Sequence, residues 1–304
     1  MKRVVSVSLG SSSRNHQVET EILGQKFLIK RIGTDGNLEL AIAKIQELDG
    51  KVDAFGMGGI DLHLFAGEKK YMLRDAKKLK DAAKQTPIVD GSGLKNTLER
   101  KTIEYLDNQL HINLSNKKVL LVCGVDRFGM AKSLEQFGAK VIYGDLIFGL
   151  GLPIPIKSLK NLESLAKIVI PLISQLPFEY LYPTGKQQER IINKFGEYYQ
   201  DADIIAGDFL FIKKHLPLRL QDKIIVTNTV TINDIELLKL RGVSKLITTT
   251  PDFQGRSFGT NVLEAIFVAL KETNHELSTE EYFKILNRVE LNPRVIEFAK
   301  EKLA

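Results

Sequence analysis

The stretch VLLVCGVDRFGMAKSLEQFGAKVIYGD, residues 119–145, decides how the rest of the chain is read. An apolar run ends at Gly124, helical spacing begins near Phe128, and a second apolar run ends at Asp145. That succession is a β-α-β unit, whose first loop leaves helix N-terminal amides free to meet a phosphate. The pattern such a loop favours is G-x-G-x-x-G, the second glycine letting the backbone approach a pyrophosphate. Here it reads G-V-D-R-F-G, so Asp126 sets a side chain and a negative charge where the phosphate would come.

Beyond this unit the alternation continues to about residue 274. VLLVCG, KVIYGD, FEYLYP, DIIAGD, KIIVTNT and KLITTTP read as strands, separated by helical stretches such as SLKNLESLAKIVIPLISQL and INDIELLKLRGV. Strands joined by helical crossovers imply α/β architecture: a doubly wound parallel Rossmann sheet of order 3-2-1-4-5-6. The segment before it differs. VVSVSLG alternates as a strand, VETEILGQKFLIKRI reads as a hairpin about Gly24-Gln25, and LELAIAKIQEL has helical spacing. The expected organisation is a smaller α+β domain over 1–112 on the substrate side, then a dinucleotide-binding Rossmann domain over 113–274. Residues 275–304 read as two helices, TEEYFKILNRV and PRVIEFAKEKL, packing back on the body.

At 304 residues the chain is long enough to bury two modest cores. Its formal charge of +6 favours a small anionic partner mildly, and its lysines are scattered rather than clustered, which speaks against nucleic acid. No apolar run reaches the roughly 18 residues of a membrane span, so no membrane partner is expected. The single cysteine, Cys123, admits no intramolecular disulfide, and the N-terminus alternates like a strand rather than a signal peptide; both suit the cytoplasm. A homodimer is allowed. His16, His63, His111, His215 and His275 are isolated, with no zinc-type spacing, so no metal is expected. Neither a G-x-S-x-G elbow nor a P-loop occurs.

Candidate site residues follow from the sheet, because ligands of parallel sheets sit at the carboxyl ends of the strands. Gly124 supplies the tight turn, Gly129 lets the helix opened by Phe128 lie close, and Asp145 is placed to hold a ribose diol. An acid there repels a 2′-phosphate, which selects NAD over NADP. Arg127 is placed to offset the charge of Asp126 by turning toward the ligand; alternatively Asp126 caps the helix. Thr227, Asn228, Thr229 and Thr249 end later strands and are placed to touch ribose or nicotinamide, while Asp208 and Thr231 double as helix caps. On the substrate side stand Ser11, Arg14, Tyr182 and Arg256. Lys95 with Asp90 is the candidate acid–base pair, since a lysine tuned toward neutrality can move a carbinol proton. A repurposed loop, or another adenosyl ligand such as S-adenosylmethionine, stays open beside the dinucleotide.

VSVSLGSS, TNTVT and TTTPDFQGRSFGTN, within this domain order, resemble the shikimate/quinate dehydrogenase and glutamyl-tRNA reductase superfamily. They are most similar to its bacterial members labelled quinate 5-dehydrogenase. The resemblance implies an NAD(P)-dependent oxidoreductase acting on a cyclic polyhydroxy acid such as quinate or shikimate. Two departures stand out: N-V-T-x-P-x-K is absent, and the one cysteine lies outside the first domain. The second function class consistent with the sequence is a non-catalytic sensor or regulatory protein binding a nucleotide or small anion.

Overall fold

The computed structural model describes residues 1–66, 69–181, 191–192, 194–250, 252–253, 256–257, 259–272, 277–289 and 291–298. In chain order come β1 (Lys2–Ser8), β2 (His16–Ile22), β3 (Gln25–Gly33), α1 (Leu38–Leu48), β4 (Ala54–Gly58), β5 (His63–Ala66), β6 (Lys69–Met72), α2 (Arg74–Ala82), β7 (Ile88–Val89) and α3 (Ser92–Asn108). Then follow β8 (Lys118–Leu121), α4 (Phe128–Gln136), β9 (Lys140–Tyr143), α5 (Leu159–Ile173), α6 (Phe178–Leu181), α7 (Gly196–Asp201), β10 (Ile204–Ala206) and α8 (Phe209–Lys214). The last are β11 (Ile224–Thr227), α9 (Ile232–Leu240), β12 (Lys245–Thr248), β13 (Asp252–Phe253), β14 (Arg256–Ser257), α10 (Thr260–Lys271), α11 (Thr279–Val289) and β15 (Arg294–Glu297).

These elements make two compact units, one of Met1–Thr97, Ala166–Gln188 and Phe258–Leu291, the other of Leu98–Leu165, Glu189–Ser257 and Asn292–Ala304. The chain changes unit inside α3 and again inside α5. The boundaries expected at 112 and 274 do not coincide with the unit edges, because helical spacing carries no mark of where one helix passes between units.

The first unit is built on a sheet of order β2-β3-β1-β4-β7. β1 lies parallel to both β3 and β4, and β4 lies parallel to β7; only β2 is antiparallel. The β2–β3 turn places Leu23 and Gly24 at φ 52° and 77°, the left-handed pair that matches the twist of a tight hairpin. Val4, Val5 and Val7 of β1 are buried, as a central parallel strand covered on both faces requires. Asn37 caps α1, its side chain accepting from Leu40 N at 2.9 Å. The expected α+β domain is thus corrected to an α/β unit with a mostly parallel sheet.

The second unit carries the sheet β15-β12-β11-β10-β8-β9, parallel except for β15. Alternate residues feed two cores. Leu120, Ile205, Ile225 and Leu246 face α7, α8 and α9, while Val119, Leu121, Val226 and Ile247 face α3, α4 and α5. Numbered along the chain, the strands lie 2-1-3-4-5-6, not 3-2-1-4-5-6. FEYLYP, read as a strand, is helical over Phe178–Leu181. Pro177 precedes it with a φ suited to a helix start, and Phe178 N donates to Asp75 Oδ2 at 3.1 Å. Without that strand, β9 stands at the edge of the sheet. PRVIEF, read as a helix, supplies β15, whose Val295 and Ile296 pair with Ile247 and Leu246. β-Branched residues after a proline favour the extended state.

Both sheets therefore share one parallel plan, in which the first parallel strand has the second on one flank and the third on the other. That plan puts the switch point between β8 and β10 in the second unit, and between β1 and β4 in the first.

Candidate functional site

At the β8–β10 switch point the loop after β8 meets the loop after β10. The first loop is closed on itself. Gly124 N and Val125 N donate to the two oxygens of Asp145, at 3.0 and 2.9 Å. The carboxylate expected to hold a ribose instead occupies the amides expected to hold a pyrophosphate. Gly124 has no room for a Cβ, which would meet Leu162 and Tyr143 at 2.8 Å. Burial raises the Asp145 carboxyl to about 6; the two backbone donors pull it down, and Asp126 pushes it up. Phe128 packs on the α3–α4 side of the core, with the Lys132 ammonium 5.2 Å from its ring centre, and Gly129 is buried.

Arg127 is turned inward. Its side chain is 5% exposed, and its guanidinium pairs with Glu99 through Nη1 and with Asp208 Oδ2 through Nη2 at 3.1 Å, while Nε lies 3.3 Å from Asp126. Burial opposes the charge on Arg127, but Glu99, Asp126 and Asp208 outweigh it and raise its pKa. Asp126 therefore does not cap α4, which starts at Arg127 without a side-chain cap. One guanidinium thus meets three carboxylates, and it is held by them rather than turned to a ligand.

The second loop completes the site. Asp208 Oδ2 also accepts from Asn228 Nδ2 at 2.6 Å, and Oδ1 accepts from Leu210 N at 2.9 Å, capping α8. Asn228 Oδ1 accepts from Phe209 N, and its carbonyl accepts from Thr250 Oγ1 at 2.9 Å. Thr227 is fully buried and donates to the Gly207 carbonyl at 2.8 Å. Thr229 is half-buried at the same strand end. Thr249 N donates to the Thr227 carbonyl, and its buried hydroxyl has no partner among the described residues. Burial pushes the Cys123 thiol well above its ordinary value, with Asp126 adding to the effect, so no thiolate nucleophile stands here.

In the first unit Asp90 and Lys95, the expected catalytic pair, each have partners of their own. Asp90 accepts from Leu62 N at 2.5 Å and from Ser92 N and Oγ at 3.1 and 2.7 Å, so it serves the turn into α3. Lys95 pairs instead with Asp61, at 3.7 Å. Ser11 is buried and caps the short turn Ser12–Arg14, which ends in the half-buried Arg14. Arg31 Nη2 donates to Ser8 Oγ at 2.9 Å, tying the switch point of this sheet. Tyr182 and the side chain of Arg256 lie outside the described residues; the backbone of Arg256 pairs with Phe253.

Sequence reasoning missed Glu99. Its signal was a carboxylate four residues before Ile103, on the apolar stripe of α3, where an unpaired charge is costly. Among the described residues no three of His, Cys, Asp and Glu are grouped to hold a metal, and no helix is long and apolar enough to cross a membrane.

A family model described as "Domain of unknown function (DUF8754)" matches residues 93–298, and "Domain of unknown function (DUF8753)" matches 3–90. No curated protein matches. Among solved structures, a 5-methylthioribose transporter solute-binding protein of Thermotoga lettingae TMO shares 12% identity, over 97% of this chain and 86% of that one, with a TM-score of 0.41. The periplasmic binding protein of the arabinose ABC transporter of Shewanella sp. ANA-3 shares 12% over 95% and 97%, with a TM-score of 0.36. GanP, a glucose-galactose binding protein of Geobacillus stearothermophilus, shares 8% over 99% of each chain, with a TM-score of 0.38. Likenesses with TM-scores this low are too distant to assign a fold or a ligand.

The dehydrogenase resemblance is not upheld. The matching family models are not those of shikimate or quinate dehydrogenases. NAD falls with the closed loop and its inward-held Arg127. The oxidoreductase, and the enzyme assignment with it, loses its acid–base pair, since Asp90 and Lys95 have other partners.

Proposed function

We propose that this chain, which belongs to the family described as domain of unknown function DUF8754, binds a small hydroxyl-rich molecule without transforming it. The site is the carboxyl end of β8, β10 and β11. One observation carries the reading: Asp208 is held by Arg127 and Asn228 together at a switch point, with its side chain still 20% exposed. The exposed edge of this fixed carboxylate is an acceptor, and the second N–H of the Asn228 amide beside it is a donor. Hydroxyl groups donate and accept at once, and are the natural partners of such a set. The exposed carboxylate edge of Asp208 favours a neutral or cationic ligand over the anion suggested by the overall composition. A neutral sugar meets these terms.

The proposed setting is the cytoplasm, on the strength of the single cysteine. The test is thermal unfolding of the full chain with a panel of neutral pentoses and hexoses and the corresponding sugar phosphates. At a hundredfold excess over Kd, a ligand adds about 2.7 kcal/mol, several degrees in Tm. At least one neutral sugar should give that shift, and Asn228→Ala should abolish it. A shift from phosphates alone would refute the charge argument.

A further inference from the structure

At the opposite end of the same sheet, the amino ends of β8 and β9 border a cavity of about 490 Å³. Its floor is apolar: Val119, Leu120, Ala139, Val141, Ile142 and Ala202. Its rim carries Lys118, Lys140 and Lys157 with Glu135 and Asp201. Both carboxylates are engaged. Asp201 pairs with Lys118 at 2.7 Å, and Glu135 accepts from Tyr143 OH at 2.7 Å and from Leu159 N at 3.0 Å. Among the described residues, Lys140 and Lys157 have no such partner.

The backbone adds a donor. β9 is the last strand of its sheet among the described residues, and beyond it only Tyr143 finds a partner among them, exchanging hydrogen bonds with Ile156 at 2.8 and 3.2 Å. Lys140 N turns the other way, to the Lys117 carbonyl at 2.9 Å. Successive residues of a strand alternate in this respect, so Val141 shares the side of Tyr143 and aims its N–H and C=O off the sheet edge, beside the cavity.

We propose that this cavity is a second binding site, separate from the strand-end site, and that it takes an amphipathic organic acid. The apolar body lies on Val119, Ala139 and Val141, which share one face of the sheet, and the acid group lies between Lys140 and Lys157 within reach of the Val141 N–H. The volume is that of an ordinary small-molecule pocket. An acid matches two ammonium groups without carboxylate partners.

The experiment titrates the full-length, 15N-labelled chain with octanoate and, separately, with octanol, following backbone amide shifts. Octanoate should move Val141 and Ile142 and saturate at about tenfold lower concentration than octanol. Lys140→Gln/Lys157→Gln should weaken octanoate about tenfold and leave octanol unchanged, the scale of two exposed charge contacts. Both lysines are exposed, so the fold tolerates the change. Lysines that only guard a strand edge would leave the two probes indistinguishable, and that result overturns the proposal. So does an octanoate affinity untouched by the double variant, or shifts at Asp208 and Asn228 in place of Val141.

Discussion

Replacing Asp145 with asparagine tests the closed loop through its proton. The carboxyl stands at about 6, against an ordinary value of 3.8, because burial outweighs the two amide donors. Between those values the folded chain keeps a proton that the unfolded chain has lost. Stability from this group is therefore full below pH 3.8 and falls as pH rises through 6. Roughly two pKa units correspond to about 3 kcal/mol, of which about 2 kcal/mol is lost between pH 4.5 and pH 7. The side-chain amide of the variant cannot titrate. The stability of the native chain minus that of Asp145→Asn should then be about 2 kcal/mol larger at pH 4.5 than at pH 7, read from urea unfolding at both values. His215 acts in the same range with the opposite sign. Burial and then Lys214 and Lys194 lower its pKa, so its contribution is lost as pH falls below the ordinary histidine value. It is present in both proteins and cancels in the difference. A flat difference, or one larger at pH 7, would mean that the Gly124 and Val125 amides outweigh burial and would refute the reasoning.

Two further substitutions probe packing. Arg127→Met strands the buried Glu99 carboxylate and should cost about 3–5 kcal/mol in urea unfolding, whereas Arg127→Met/Glu99→Leu should recover most of it; a single-variant loss under about 1 kcal/mol would remove the buried pair as a stabilising centre. Gly91→Ala adds a Cβ 2.5 Å from Asn261 N at a φ of +94°, and should cost at least about 1–3 kcal/mol by the same assay; unchanged stability would show that the turn into α3 can relax.

The local pieces of this fold were legible and their arrangement was not. β8-α4-β9 and the β2–β3 hairpin stand where periodicity and turn glycines put them. FEYLYP and PRVIEF failed for one reason: each is a short apolar run that fits helix or strand equally, and what decides it is distant. Phe178 N is claimed by Asp75, over a hundred positions away in sequence, and β15 by β12. The strand order differs from the expected one at its two edges, where FEYLYP leaves the flank of β9 and β15 joins that of β12. The plan common to both sheets was equally hidden, because the two units share topology without any visible sequence repeat.

The site shows where sequence logic stops. Strand ends pointed to the neighbourhood of the proposed site, so Arg127, Thr227 and Asn228 were legible as positions, and Asp208 as a cap. Their roles depended on which way side chains turn. Asp145 has the spacing of a ribose ligand, yet its carboxylate accepts from the amides of the loop after β8, the donors a phosphate would need. Net charge misled in a similar way. A chain of +6 suggested an anionic partner, but charge is distributed, and the switch point holds three carboxylates around one arginine. The positive surplus of this unit lies instead at the other end of the sheet, where Lys140 and Lys157 flank a strand edge. An anion and a neutral polyol would then be drawn to opposite ends of the same six strands, and a substitution at either end should leave the other ligand's affinity unchanged.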